Sequence, residues 1–297
     1  MLAINGSVAL TTGFKQEILG RNPKDCIKYI EAKLKGEKLP ELNPWYAKFN
    51  GSILPNKDKA NGWIITGKIN KLPKNKIEIV DIPVNYKLED YIEILDKLED
   101  EKSIKSYQDL SESGNFRFIV TLYENKERGF NMSDPDLLSK LKLVTTEVEN
   151  FTSLDENNKV VEYKSIYEIV DHYYDLRLEY YQKRKDYEVK SLTKKIIEMA
   201  SRYIFVKSVV GGSIVVANKV DKEIEDQLSK TKNIIKVDGS YDYLLNMNIR
   251  SLTAAKYASL LDEIKRAKAD LDELKTMTPK DMWLKDLDQL KRALPKI

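Results

Sequence analysis

One cysteine and one histidine among 297 residues remove several common chemistries at the outset. A lone Cys26 cannot close an intramolecular disulfide or build a cysteine-based metal site, and it fits a reducing cytoplasm. A lone His172 excludes histidine-rich zinc sites and most Ser–His or Cys–His nucleophile schemes. It lies in a helical run, where a partly buried helix residue is the plain reading. No apolar run approaches the ~18 residues of a membrane span. The opening MLAINGSVAL has no basic stretch ahead of its apolar residues, which argues against a signal peptide. Net charge is also scarce: 50 Lys and Arg against 47 Asp and Glu leave +3, so any basic surface has to be local. No ATP-binding loop of Walker or GHKL type is visible, and VVGGS (209–213) is a weak glycine pair between apolar segments.

What is present is a chain long enough for two or three modules with cores of their own. Apolar residues make up 42% and charged residues 33%, the balance of a soluble, helix-rich protein. Residues 1–22 read as a glycine-punctuated loop. Asn22 followed by Pro23 predicts a helix start, Ile27, Ile30 and Leu34 give that helix an apolar face, and Gly36 ends it. From about 50 to 150 the pattern is mixed α/β. Ile77 and Ile79 alternate, as do Phe116, Phe118, Val120 and Leu122, with helical spacing between them at Leu88, Ile92, Leu95 and Leu98.

The remainder has another period. Ser165 and Glu168 spell a capping box, followed by Ile166, Ile169, Tyr173, Leu176, Tyr180 and Tyr187 at coiled-coil spacing, with Lys183 the one break. A second seam runs through Tyr257, Leu260, Ile264, Ala267, Leu271 and Leu274. Thr278, Pro279 and Asp281 start a last helix carrying Trp283, Leu287 and Leu290. The predicted fold class is α+β and multidomain: an α/β body, a long antiparallel two-helix coiled coil, and a small head between its helices.

Several stretches resemble one family. NGSVALTTGF (5–14) with RNP (21–23) and NPWYAKFNGSI (43–53) resembles the segment after the catalytic domain of type IIA DNA topoisomerases. YYDLRLEYYQKRKDY (173–187) is similar to their ascending coiled-coil helix, and FVKSVVGGSIVV (205–216) to the start of their exit-gate head. YDYLLNMNIRSLT (241–253) resembles the turn into the descending helix, and TPKDMWLKDLDQL (278–290) the closing segment. The terse tower and short tail look most like the T-even phage members.

The resemblance assigns residues 1–30 to the DNA-facing end of the cleavage region and 31–155 to a tower domain. It assigns 156–190 and 251–277 to the coiled coil, 191–250 to a dimerising exit-gate head, and 278–297 to a helix packing back on the body. Leu10 matches the position of an intercalating aliphatic wedge, although Val8-Ala9 replaces the usual small residue and Gly. Lys15 and Arg21 flank that loop as phosphate contacts. Lys48, Lys57 and Lys59 belong to a run of seven lysines (48, 57, 59, 68, 71, 74, 76) against Asp58 alone, which is either a phosphate surface or a solvated face. Tyr241, Tyr243 and Met247 are implied dimer-gate contacts.

MASRYIF (199–205) has the spelling of the family's DNA-cleaving site, but the order of the chain opposes that role. The family's cleaving tyrosine precedes the NG…TG loop, whereas Tyr203 follows the loop, the tower and the ascending helix. Tyr203 is therefore expected to be structural, with no catalytic residue and no metal ligand in this chain. Asp270/Asp272 and Asp286/Asp288 have the DxD spelling but fall in helical patterns. The resemblance then implies a winged-helix segment and an ATPase/Toprim subunit supplied elsewhere, carrying Mg2+ and ATP. The remaining expected partners are duplex DNA and a second copy of the chain, in the cytoplasm of a bacterial host if the gene is phage-encoded. An architectural coiled-coil DNA clamp is the alternative, but it gives no reason for the NG…TG loop.

Overall fold

The computed structural model describes residues 2–11, 13–112, 115–123, 132–248 and 252–295, and it divides into two compact units. The first comprises residues 1–174 with 290–297, the second residues 175–289.

The first unit opens with structure where a loop was expected. A short helix α1 (Leu2–Asn5) leads into an antiparallel hairpin of β1 (Ser7–Thr11) and β2 (Phe14–Ile18). Gly6 makes the join at φ 67, and a Cβ there would lie 2.5 Å from Ile18 O and 2.9 Å from Gly20 N. Only glycine lets the two chain segments approach that closely. The helix after the hairpin is as the sequence reads. In α2 (Pro23–Lys35), Asn22 Oδ1 accepts from Lys24 N (2.9 Å), Gly36 ends the helix at φ 71, and Ile27, Ile30 and Leu34 are buried.

Two antiparallel sheets follow. One has the order β3 (Ser52–Pro55), β4 (Gly62–Thr66), β9 (Val144–Val148). The other has the order β5 (Lys68–Leu72), β6 (Lys76–Asp81), β8 (Phe118–Thr121), β7 (Ser106–Asp109). Ile77, Ile79, Phe118 and Val120 bury one face of the second sheet, against Leu95 and Leu98 of α3 (Leu88–Asp100) and Leu137 of α4 (Asp134–Lys140). Tyr91 joins this core, its hydroxyl donating to Leu141 O (2.8 Å), while Ile92 is only half-buried. A small hairpin of β10 (Thr152–Leu154) and β11 (Val160–Glu162) completes the strands.

Helix α5 (Ile166–Val210) begins in the first unit and continues in the second, which also holds α6 (Asp221–Lys230), α7 (Asp242–Leu245), α8 (Ala254–Thr276) and most of α9 (Pro279–Ala293). The α8 seam is buried at Leu260, Ile264, Ala267 and Leu271, and the last three share an apolar cluster with Ile196 and Met199 of α5. The side chain of Tyr257 and residues 249–251 lie outside the described residues.

The predicted α5 seam holds at Ile166, which is buried, but needs correction further along, where its phase is displaced by one residue. Val170, Tyr174 and Tyr181 are buried, whereas Tyr180 and Tyr187 are 54% and 73% exposed. Each Tyr-Tyr doublet offers two candidates, and at Tyr180-Tyr181 the contacts of α9 favour the second. Tyr181 stacks on Trp283 (5.4 Å between ring centres) and donates to Asp286 Oδ2 (2.8 Å). Helix α9 starts as predicted: Asp281 N donates to Thr278 Oγ1 (3.2 Å) and Thr278 N to Asp281 Oδ2 (2.9 Å). The cap of α5 differs, since Glu168 accepts from Lys164 N (2.8 Å). Among the described residues no helix is long and apolar enough to cross a membrane.

Burial in α2 raises the pKa of the Cys26 thiol from 9.0 to about 11, an effect only partly opposed by nearby Arg21. A thiol-labelling assay at pH 8 should therefore find Cys26 unreactive in the folded chain and reactive in step with denaturant unfolding. Labelling of the native protein at the rate of a free thiol would contradict this packing.

Candidate nucleic-acid interface

The hairpin carries large apolar side chains into solvent. Val8 and Leu10 are 79% and 81% exposed, and Phe14 is 55% exposed. Alternation along β1 puts Val8 and Leu10 on one face. Their cross-strand partners there are Glu17 and Lys15, which form an ion pair with each other. That pairing raises the Lys15 pKa. A third charge, Glu147 on β9, lies close enough to interact: burial first, then a hydrogen bond and repulsion from Glu17, raise its carboxyl above the ordinary 4.5. Sequence reasoning singled out Leu10 and treated Val8 only as a departure from pattern, although their alternation was visible.

The foot of the hairpin is fixed by a buried ion pair. Arg21 is 1% exposed and forks onto Glu149, Nη1 to Oε1 at 2.5 Å and Nη2 to Oε2 at 2.7 Å. Its Nε donates to Leu42 O (3.0 Å) and its Nη1 also to Leu19 O (2.6 Å). Glu149 accepts further from Leu19 N (2.8 Å) and Trp63 Nε1 (2.8 Å). This corrects the expectation that Arg21 contacts phosphate: its guanidinium is enclosed and engaged by protein oxygens. Nothing local in the sequence marks Glu149, 128 residues away, as its partner.

Beyond Glu149 the chain runs along β2. Glu17 and Asn150 exchange backbone hydrogen bonds (3.0 and 2.8 Å), and Gln16 Nε2 donates to Thr152 O (2.7 Å). The exposed lysines belong to the neighbouring sheet. Lys57 and Lys59 lie in the turn between β3 and β4, Lys48 lies just before β3, and none of the three forms an ion pair among the described residues. Lys71 differs from its neighbours in the basic run, being paired with Asp134 at 2.7 Å.

In the second unit Tyr203 is half-buried on α5, packed against the cluster of Ile196 and Ile264 and against a second one that includes Phe205, Val206 and Leu244, with Lys207 Nζ 5.8 Å from its ring centre. The adjacent Arg202 instead lies over the ring of Tyr243, at 5.8 Å. Tyr243 donates to Ile235 O (2.7 Å), and with Met247 it borders an open cavity of about 670 Å3. Tyr241 needs correction as a surface contact: it is buried in the core of its own unit, beneath Lys236. Among the described residues no three His, Cys, Asp or Glu side chains converge as a metal site requires.

The chain is similar to known proteins over nearly its whole length. The model of the DNA gyrase/topoisomerase IV A-subunit family matches residues 1–288. The chain is 28% identical over 307 residues to the mitochondrial DNA topoisomerase 2 of Dictyostelium discoideum, covering 100% of this chain and 23% of that protein. It is 27% identical over 350 residues to DNA topoisomerase 2 of Candida albicans, covering 97% and 24% respectively. The chain thus spans about a quarter of the length of these two relatives. The crystal structure of the Plasmodium falciparum topoisomerase II DNA-binding, cleavage and re-ligation domain superposes with a TM-score of 0.84 at 29% identity, over 98% of this chain and 43% of that one. The match spans both units and nearly every residue. The chain belongs to the A-subunit family of DNA gyrase and topoisomerase IV.

Two measurements test the site as built. Arg21→Ala leaves Glu149 as an unpaired buried carboxylate, so urea unfolding should show a loss of about 3–5 kcal/mol. An exposed phosphate ligand would instead cost less than ~0.5 kcal/mol. For Glu147 the sign follows from its raised folded pKa. Its protonated form favours folding, a contribution fully present below the unfolded pKa and lost as pH rises through the folded one. Glu147→Gln keeps the neutral form, so it should raise the melting temperature at pH 7, with the gain vanishing toward pH 4. A lower melting temperature at pH 7 would contradict the assigned repulsion.

Proposed function

We propose that this chain is part of an ATP-dependent type IIA DNA topoisomerase, that it supports and bends the gate duplex, and that it forms a dimeric exit gate for the transported duplex. The observation that carries this reading is the exposed apolar hairpin with Leu10 near its tip, anchored beside a turn bearing Lys57 and Lys59. An apolar wedge unstacks a base step at a cost of a few kcal/mol, and the bent duplex regains it by contacting more protein. Lys48, Lys57 and Lys59 hold phosphates, and Lys15 contributes in competition with Glu17. Residues 31–155 act as the tower, and its terseness favours the phage-encoded branch and a bacterial host cytoplasm.

Helices α5 and α8 form the antiparallel coiled coil, and residues 191–250 the gate head, where Tyr243 and Met247 face a second copy. Tyr203 is structural. A tyrosine hydroxyl needs positioned help to attack phosphate, and Arg202 lies over another ring. The cleaving tyrosine is therefore supplied by a winged-helix segment outside these 297 residues. Mg2+ and ATP belong to an ATPase/Toprim partner chain.

The isolated chain should dimerise and bind duplex without cleaving it. Lys57→Ala and Lys59→Ala should each reduce the slope of log K against log salt by about 1, uniformly across sequences. Relaxation of supercoiled DNA by the chain alone with magnesium and ATP, or a covalent DNA adduct lost in Tyr203→Phe, would overturn the assignment of roles.

A further inference from the structure

Glu149 is buried, and it is among the most fully engaged side chains of the first unit. Its backbone N–H donates to Asn61 O (2.9 Å), in the turn that carries Lys57 and Lys59. Its carboxylate faces the hairpin instead, accepting from Leu19 N (2.8 Å) and from both terminal nitrogens of Arg21 (2.5 and 2.7 Å). Trp63 Nε1, on β4, closes the set at 2.8 Å. Asn150 and Thr152 then take hydrogen bonds along β2. A single residue thus joins the lysine turn, the sheet and the foot of the hairpin.

Net stability does not account for this arrangement. A buried ion pair is often no better than apolar residues of similar volume, because desolvation offsets the attraction. What the bidentate fork supplies is direction, since two parallel N–H···O bonds fix the guanidinium plane relative to the carboxylate.

We propose that Glu149, acting through Arg21, is a positioning residue for DNA bending: it holds the Val8–Leu10 hairpin at a fixed angle to the β3–β4 turn. A duplex gripped at Lys57 and Lys59 is then forced over the wedge and cannot push it aside. The inference rests on the reading of Leu10 as a wedge. It adds a residue that never touches DNA but determines whether binding becomes bending.

The test uses the full chain and a duplex of about 30 bp labelled at both ends. Bending is read by energy transfer between the labels, affinity by anisotropy, and fold by circular dichroism and cooperative melting. The double variant Arg21→Met/Glu149→Leu replaces the pair with apolar side chains of similar size, which commonly preserves the fold. It should bind within about threefold of the wild-type Kd and lose most of the bend. Trp63→Phe, which deletes a single donor to Glu149, is the milder variant and should lose part of the bend at unchanged affinity, even if the double variant fails to fold.

Leu10→Ala separates the two ideas. If Leu10→Ala abolishes bending while folded pair variants bend like the wild type, the positioning role is wrong and the wedge stands. If Leu10→Ala also bends like the wild type, the wedge reading falls and the positioning role falls with it.

Discussion

A guanidinium removed from water needs an oxygen in each direction that its N–H groups point, and the way this chain meets that need for Arg21 organises its first unit. The acceptors come from distant parts of the sequence: Leu19, Leu42 and Glu149. Because each uncompensated ion would cost several kcal/mol, these segments assemble together. The hairpin foot, the segment before β3 and the end of β9 are thereby held to one geometry. Backbone contacts reinforce it, with Trp45 N donating to Gly20 O (2.8 Å) and Arg21 N to Ala3 O (2.9 Å). The exposed tip of the hairpin depends on this buried base, since two strands alone are marginally stable in water.

The second unit relies on directional contacts of another kind. Tyr181 stacks on Trp283 and donates to Asp286, and burial with that carboxylate raises its pKa to about 12. Arg184 reaches the same Asp286 oxygen at 2.7 Å. A carboxylate that spells half of a DxD motif therefore serves helix packing. Tyr203 makes the same point about spelling, because the letters Arg-Tyr specify neither what surrounds the hydroxyl nor where the arginine points.

What could be read from the sequence was whatever local chemistry determines. The Asn22-Pro23 start and Gly36 stop of α2, the alternation at Ile77 and Ile79, and the α8 seam depend on neighbours a few residues away. What could not be read depends on partners remote in sequence. Tyr180 and Tyr181 are equivalent in pattern, and only Trp283 and Asp286 distinguish them. Residues 1–22 read as loop because Gly6, Gly13 and Gly20 punctuate them and mask a hairpin that β10 and Asn150 help to pair. Arg21 looked like a surface cation because a buried arginine is rare unless paired, and its partner is 128 residues away. The exposure of Val8 followed from the same hairpin.

On the proposed reading of the hairpin as a wedge, a directional contact at its foot answers the load that a bent duplex would apply. Bending 20–30 bp by 40–90° costs about 1–6 kcal/mol, and a wedge that bends the duplex has to hold its angle against that energy. Apolar packing alone answers such a load poorly, because it is non-directional and lets a two-stranded hairpin swivel with little loss of buried area. A planar fork loses two charge-assisted hydrogen bonds as soon as it rotates, and inside the protein neither partner can be rescued by water. Losing that fork would cost about 3–5 kcal/mol, within the range of the bending energy, so on the proposed reading the hairpin keeps its angle while the duplex bends. The proposed wedge thus combines a buried charge pair that stiffens its foot with apolar side chains exposed near its tip.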